Sequence, residues 1–548
     1  NGERSAVAKR LLTKKMRILK DFKIPDFKFK KIEMNDIPNV EDVKVDYSKV
    51  LEAQEKKNKK HQPYPATDYK TVKEIFIHSM KNYADETLIL QKPNHKEPYK
   101  EYTYKKFGED VVDLGSKLIK MLPKNSRVVI VSETTYDWYV SYMTLLCGAG
   151  IVVPVDKELP ENELENVINR ANATAVMYSA KKEDAIKKIE NNVTTVKYFI
   201  KMDSDEHIMD KHMGFNYLIQ EGKEIFDSGD TSYLDIEIDP EEFKMLIFTS
   251  GTTSKSKGVM ICNRNLAANI NAVSEYVRLY TSDRLFSVLP LHHTYECTIG
   301  FLLPLYSGAS ICHCDGLRYI TSNMLEYHPS VILCVPLLLE KMYQKIMKSI
   351  QKTLPKKYTE NLKENENIIN KLPFYIKGIV KRKVKNSLGG RLRVFIVGAA
   401  AVNPEIADTF DKLGLNSLQG YGLTECAPLV AGNTDFFKRN DSAGLPIPNV
   451  EYKIDNPDSE GVGEIIVKGP NVMLGYYNMP EETEKVLKDG WFHTGDLGKI
   501  DENGFLYITG RCKSVIVTKN GKNIYPEETT VLLSRISRQR TRIAPSVS

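Results

Sequence analysis

The sequence predicts an α/β protein: two doubly wound α/β subdomains followed by a small β subdomain. Three observations carry this. Between residues 127 and 200, short apolar runs alternate with amphipathic stretches of helical length. The alternation resumes between residues 284 and 419. Strands alternating with helices at this spacing imply parallel sheet with crossover helices. From Gly444 the texture changes to short strands between turn signals such as Asn456-Pro-Asp and Asp501-Glu-Asn-Gly504, which reads as a partial barrel.

Residues 7–22 set Val7, Leu11, Leu12, Ile18, Leu19 and Phe22 near helical spacing among Lys9, Arg10, Lys14, Lys15, Arg17 and Lys20. Such a helix attaches to an anionic membrane surface or packs, solvated, on the body; the second reading is preferred. Residues 33–68 read as linker, so residues 1–67 form a basic helix plus linker. The body opens with a helix from about Tyr104 through Met121. Strands are expected at 127–132, 151–155, 175–178 and 196–200, with helices at 135–147, 160–171 and 181–190. A buried strand Met245–Phe248 and a helix from Asn263 flank a polar loop. Strands at 284–288, 309–312, 331–334, 393–397 and 416–419 alternate with helices at 294–305, from Leu337 and from Pro404. The α/β body therefore spans 68–443, and the β subdomain 444–510. A lysine-rich helical excursion covers 342–388; it reads first as a solvated face, with a membrane or partner surface as the weaker alternative.

The 548 residues are 42% hydrophobic and 27% charged, the balance of a globular chain, and no run of 18 apolar residues occurs. Residues 1–60 carry 17 Lys+Arg against 10 Asp+Glu, whereas the whole chain is only +6. The body is thus near neutral, which argues against a nucleic-acid partner. Eight dispersed cysteines fit a reducing compartment, and Cys312-His313-Cys314 reads as ordinary strand, without a second pair to complete a metal site. A cytoplasmic location is the expectation, with peripheral membrane contact through the basic N-terminal helix as the open alternative.

The polar loop is the chemical centre. Phe248-Thr-Ser-Gly-Thr-Thr-Ser-Lys-Ser-Lys-Gly-Val259 combines hydroxyls, glycines and two lysines. Glycines let backbone approach a phosphate, N–H and hydroxyl groups donate to its oxygens, and Lys255 or Lys257 offsets charge. The common P-loop is excluded, because Val259-Met260 stands where it needs Lys-Ser/Thr.

This stretch resembles the phosphate loop of the adenylate-forming (AMP-binding) enzymes, T-S-G-T-T-G-x-P-K-G-V, departing from it at Ser254 and Ser256. The resemblance implies nucleotide contacts from Thr249, Ser250, Gly251, Thr252, Thr253 and Lys257. Leu289-Pro-Leu-His-His-Thr-Tyr-Glu296 resembles L-P-x-x-H, which implies His293 at the acyl site. Val397-Gly398-Ala399-Ala400 resembles the adenine-contacting segment. Gln419-Gly420-Tyr421-Gly422-Leu-Thr424-Glu425 is similar to the family's most specific motif: Tyr421 is implied to stack on adenine, Thr424 to meet the α-phosphate and Glu425 to hold Mg²⁺. Trp491-Phe-His-Thr-Gly-Asp496 resembles T-G-D, whose Asp accepts from both ribose hydroxyls; Arg511 is implied to reach the ribose and Lys513 to mark the hinge. Lys519-Asn-Gly521 resembles the segment lining the CoA site.

What the resemblance implies is the large domain of adenylate-forming enzymes: two doubly wound α/β subdomains plus a small distorted β barrel, then a hinge and truncated C-terminal domain over 511–548. It covers about residues 68–528. No P-K-T-x-x-G-K-like lysine loop occurs, and the last twenty residues carry Arg535, Arg538, Arg540 and Arg542 but no Lys, Asp or Glu. Nucleotide binding with slow adenylation is therefore expected. Val335–Tyr343 and the helical excursion look like the long-chain fatty acyl-CoA ligases. The implied reaction joins a fatty acid to Mg·ATP, giving acyl-adenylate and pyrophosphate, then to CoA, giving acyl-CoA and AMP. Two other readings stay open: a weakly active nucleotide- or acyl-binding remnant, and an acyl-carrier-protein ligase.

Overall fold

In the computed structural model the described residues are 63–206, 211–249, 256–358, 368–512, 516–517 and 523–524. The expected N-terminal helix 7–22, Ser250 to Lys255, Lys513, Lys519, Gly521 and the arginine tail lie outside them.

Two large sheets dominate. The first has eight strands, in the spatial order Gly475–Tyr476, Lys257–Cys262, Phe243–Thr249, Ile151–Pro154, Arg127–Val131, Ala175–Tyr178, Tyr198–Lys201 and His212–Gly214. All neighbours from Phe243–Thr249 onward pair in parallel. Val128 to Val131 are all buried, as a parallel strand covered by helices on both faces requires. The covering helices are amphipathic. Tyr104–Met121 is capped by Thr103, which accepts from the Lys106 N–H, and buries Phe107, Val111, Leu114 and Leu118 on one stripe.

The second sheet has nine strands: Leu445–Pro446, Leu429–Gly432, Asn416–Gly422, Val394–Val397, Val331–Cys334, Arg284–Ser287, Ser310–His313, Thr87–Gln91 and Lys100–Thr103. From Asn416–Gly422 to Thr87–Gln91 the pairing is parallel. One core joins the two sheets: Trp138 stacks on Tyr142 at 4.9 Å, Tyr139 meets Phe301 at 4.8 Å, and Met245 and Leu285 belong to the same cluster. The third sheet is antiparallel and five-stranded, built from Glu451–Asp455, Gly463–Lys468, Trp491–Ile500, Leu487–Lys488 and Leu506–Arg511. Its ladder does not close into a barrel among the described residues.

The α/β fold class agrees with the sequence reading, with several corrections. The polar loop does not run from strand to helix. It joins Phe243–Thr249 to an antiparallel strand, Lys257–Cys262, whose Val259 and Ile261 fill the core on alternate positions. The strand expected at 416–419 extends to Gly422 because Leu429–Gly432 pairs with its end. Ala180–Lys182 and Tyr295–Leu302 depart from α-helix, the first as a tight 3₁₀ turn and the second as π-helix. Thr87–Thr103 precedes the first sheet in sequence but joins the second.

Candidate active site

Ligands of open parallel sheets lie beyond the carboxyl ends of the strands, where the strand order reverses. In the nine-stranded sheet that reversal falls at Arg284–Ser287, whose neighbours are Ser310–His313 on one side and Val331–Cys334 on the other. His292 and His293 follow this strand, Gly398 follows Val394–Val397, and Gln419 to Glu425 continue Asn416–Gly422.

Asp496 is the buried anchor of the site, 5% exposed. Register on the third sheet sets it opposite Arg511. The Arg511 Nε lies 3.0 Å from its Oδ1, and the Tyr421 hydroxyl donates to its Oδ2 at 2.8 Å. Burial raises the Asp496 pKa, while Arg511 and Tyr421 oppose the rise. A carboxylate offers about four lone-pair sites, so two donors leave acceptor capacity on each oxygen. The sequence reading expects the Tyr421 ring against adenine; the bond to Asp496 engages its hydroxyl and leaves the ring face for that contact.

The small residues of the site each have a steric cause. A Cβ at Gly398 would come within 2.8 Å of the Tyr295 ring, and one at Gly422 within 2.2 Å of the Pro428 carbonyl. Ala399 holds φ at 71°, a region alanine rarely adopts, in an exposed turn beside Ala400. Gln419 ties this turn to its neighbours: its Oε1 accepts from Val402 N–H at 2.7 Å and its Nε2 donates to the Ser442 carbonyl at 3.0 Å. Gly420 pairs opposite Gly432.

At the foot of the polar loop, Thr249 and Lys257 are register partners. The Lys257 Nζ pairs with Glu482 at 2.8 Å and lies 4.4 Å from the centre of the Tyr476 ring. The Tyr476 hydroxyl donates to Glu425 Oε1 at 2.9 Å, and the Glu425 carbonyl accepts from Met473 N–H. Thr424 and Glu425 sit on a 3₁₀ turn. Lys257 and Lys485 push Glu482 down to about 2. Arg170 steadies the loop's other foot by donating to the Ser256 hydroxyl and carbonyl. Sequence reading missed Glu482, Tyr476 and Arg170; none stands in a motif, and their partners lie 51 to 225 residues away.

The two histidines follow the strand Arg284–Ser287. His292 and His293 rings stand 4.1 Å apart. His293 is exposed at its surface, yet dense surrounding protein lowers its pKa; burial and His293 bring His292 down to about 4. Behind them Glu296 is fully buried, with Ser287 donating to its Oε1 at 2.5 Å. Its Oε2 and the Tyr139 hydroxyl have no partner among the described residues. Desolvation pushes Glu296 up to about 8. Gly300, one turn later, leaves room for this carboxyl, which a Cβ would approach to 2.8 Å.

Two parallel sheets, a polar hairpin loop and a buried carboxylate held by tyrosine and arginine define the fold of the adenylate-forming enzymes. Solved structures share it: an anthranilate CoA ligase in complex with anthranoyl-AMP (TM-score 0.65, 17% identity, 85% of this chain and 81% of that one) and a Mycobacterium tuberculosis fatty acyl CoA synthetase (0.63, 18%, 83% and 81%). Residues 76–477 match the AMP-binding enzyme family, and the chain belongs to it. Its relatives include long-chain-fatty-acid–CoA ligase 5 of Mus musculus, 30% identical over 82% of this chain and 69% of that protein. A long-chain-fatty-acid–[acyl-carrier-protein] ligase of Arabidopsis thaliana is 26% identical over 84% and 73%. No helix among the described residues is long and apolar enough to cross a membrane.

Proposed function

We propose that this chain activates a long-chain fatty acid with ATP, giving an acyl-adenylate and pyrophosphate, and then transfers the acyl group to CoA, releasing AMP. The observation that carries the reading is Asp496, a buried carboxylate whose two oxygens each keep an acceptor site after binding Tyr421 and Arg511. A ribose cis-diol supplies two such donors. Gly398, Ala399 and Ala400, the ring of Tyr421 and the backbone of Gln419, Gly420 and Gly422 would flank adenine. Thr249 to Thr253 and Lys257 would hold the phosphates, with Thr424 at the α-phosphate. Glu425 keeps one oxygen clear of Tyr476 and is the hard ligand that Mg²⁺ takes alongside substrate phosphates. Bound there, Mg²⁺ would neutralise charge on the leaving pyrophosphate. His293 would face the fatty carboxylate, Lys513 would mark the hinge, and Lys519 and Gly521 would line the CoA site. Activation makes AMP the leaving group, so positioning and charge neutralisation suffice and no protein nucleophile is needed.

The test is fatty-acid-dependent exchange of pyrophosphate into ATP, with Asp496→Asn as the control. Exchange that requires fatty acid and is lost in the variant is expected; exchange unaffected by Asp496→Asn would overturn the site assignment. The plant relative supports a second acceptor, acyl carrier protein. Offering CoA and acyl carrier protein in parallel separates the two: thioester on CoA alone is the expected outcome.

A further inference from the structure

The helix Phe374–Ser387 lies outside the site. Its inner face is apolar: Ile376, Ile379, Val380 and Val384 are buried. Its outer stripe follows helical spacing through Phe374, Lys377, Lys381, Arg382 and Lys385. The helix carries five cations, Lys383 included, and no carboxylate. Among the described residues, Lys377, Lys381, Arg382 and Lys385 form no ion pair. Burial and the neighbouring Lys381 lower the Lys385 pKa, as expected of like charges held together without an anion. Complementing the helix dipole does not account for the stripe, because Lys377 stands in the first turn, where a cation is disfavoured.

Two further features point outward. Phe374, at the start of the stripe, is 44% exposed. Gly378 sits mid-helix, where glycine is a poor choice, and a Cβ there would meet nothing within 4 Å, so packing inside the protein does not demand it. It forms one wall of a surface cavity of about 280 Å³, with Lys381, Arg382, Lys385, Asn386 and Gly390. Cations around an open notch, beside an exposed aromatic ring, match phosphate headgroups with an apolar layer beneath.

We propose that this stripe docks on a bilayer bearing anionic phospholipids, with headgroup phosphates in the notch between Lys381, Arg382 and Lys385 and the Phe374 ring at the acyl boundary. The inference rests on charge complementarity and the aromatic anchor, and does not depend on which acyl substrate the enzyme takes.

The experiment is flotation of the full chain with vesicles of phosphatidylcholine containing phosphatidylserine, and with phosphatidylcholine alone. The helix variant is Lys381→Gln/Arg382→Gln/Lys385→Gln; glutamine keeps most of the length of Lys381, whose end packs on Gly414. A second full-chain variant replaces Lys9, Arg10, Lys14, Lys15, Arg17 and Lys20 with glutamine, so that N-terminal binding is separated. Binding restricted to anionic vesicles, weakened roughly 100-fold in the helix variant and persisting in the N-terminal variant, is expected. Phe374→Trp should be quenched by brominated acyl chains. Equal binding by the helix variant, equal binding to phosphatidylcholine alone, or an unquenched Phe374→Trp would each overturn the proposal. So would binding of inorganic phosphate at millimolar concentration, lost in the helix variant, without any vesicle binding, which would assign the notch to a soluble anion.

Discussion

Glu296 and Glu482 bring the same carboxyl group into opposite surroundings. Glu296 lies in the core with one hydroxyl partner and is pushed up to about 8; Glu482 stands open to solvent between two lysines and is pushed down to about 2. At neutral pH the first is uncharged and the second an anion. The difference shows that the two parts of the candidate site are built on different terms. The core behind the histidines tolerates a carboxyl only without charge. Around the polar loop and the third sheet charges are instead matched, Lys257 against Glu482 and Arg511 against Asp496.

The comparison breaks most sharply at Lys257. Lys257→Met removes the cation that would follow the phosphates, and pyrophosphate exchange should fall about 100- to 1,000-fold, ~3–4 kcal/mol. Stability should hardly change, because Glu482 is solvated; a large drop in melting temperature would show that the lysine serves the fold instead.

Glu296 predicts a pH effect of fixed sign. Its carboxyl ionises near the ordinary 4.5 in the unfolded chain but near 8 in the folded one. Between those values the folded protein retains a proton that the unfolded chain has lost. The stability from neutral Glu296 is therefore present in full below pH 4.5 and is lost as pH rises through 8, a fall on the order of a few kcal/mol. Melting curves from pH 5 to 9 should show this decline, and Glu296→Gln should flatten it. A parallel decline in the variant would place the titration elsewhere.

Ser287→Ala sharpens the same side of the comparison. It strips the one hydrogen bond on the buried carboxyl and should cost about 1–3 kcal/mol by urea denaturation. The smallest effect is expected at Glu482→Gln. Lys257 loses its resting partner, ATP should bind up to roughly threefold tighter at low salt, and the gain should vanish at 1 M salt. Weaker binding would mean that Glu482 positions the lysine rather than occupying it.

Legibility followed the range of the forces. Ala175–Tyr178 and Val331–Cys334 were read to the residue, because a strand buried on both faces is a continuous apolar run. Two glycines of the motifs have a local steric cause: at Gly398 and Gly422 a Cβ would collide. The strand Lys257–Cys262 was not legible, since its glycine and polar start read as loop until Phe243–Thr249 and Gly475–Tyr476 flank it. Nor was the alliance of Tyr421 with Asp496, 75 residues apart.

By itself the sequence determined which segments form parallel strands and covering helices, and which small, hydroxylic and acidic residues gather at their carboxyl ends. Periodicity and sterics act within a few residues, so they are written locally. Only the tertiary structure decided that Thr87–Thr103 joins the far sheet, that Gly475–Tyr476 closes the edge beside Lys257, and that Glu296 is neutral while Glu482 is charged. Strand partners and carboxyl charge depend on what the remote chain brings alongside, and no local pattern encodes that.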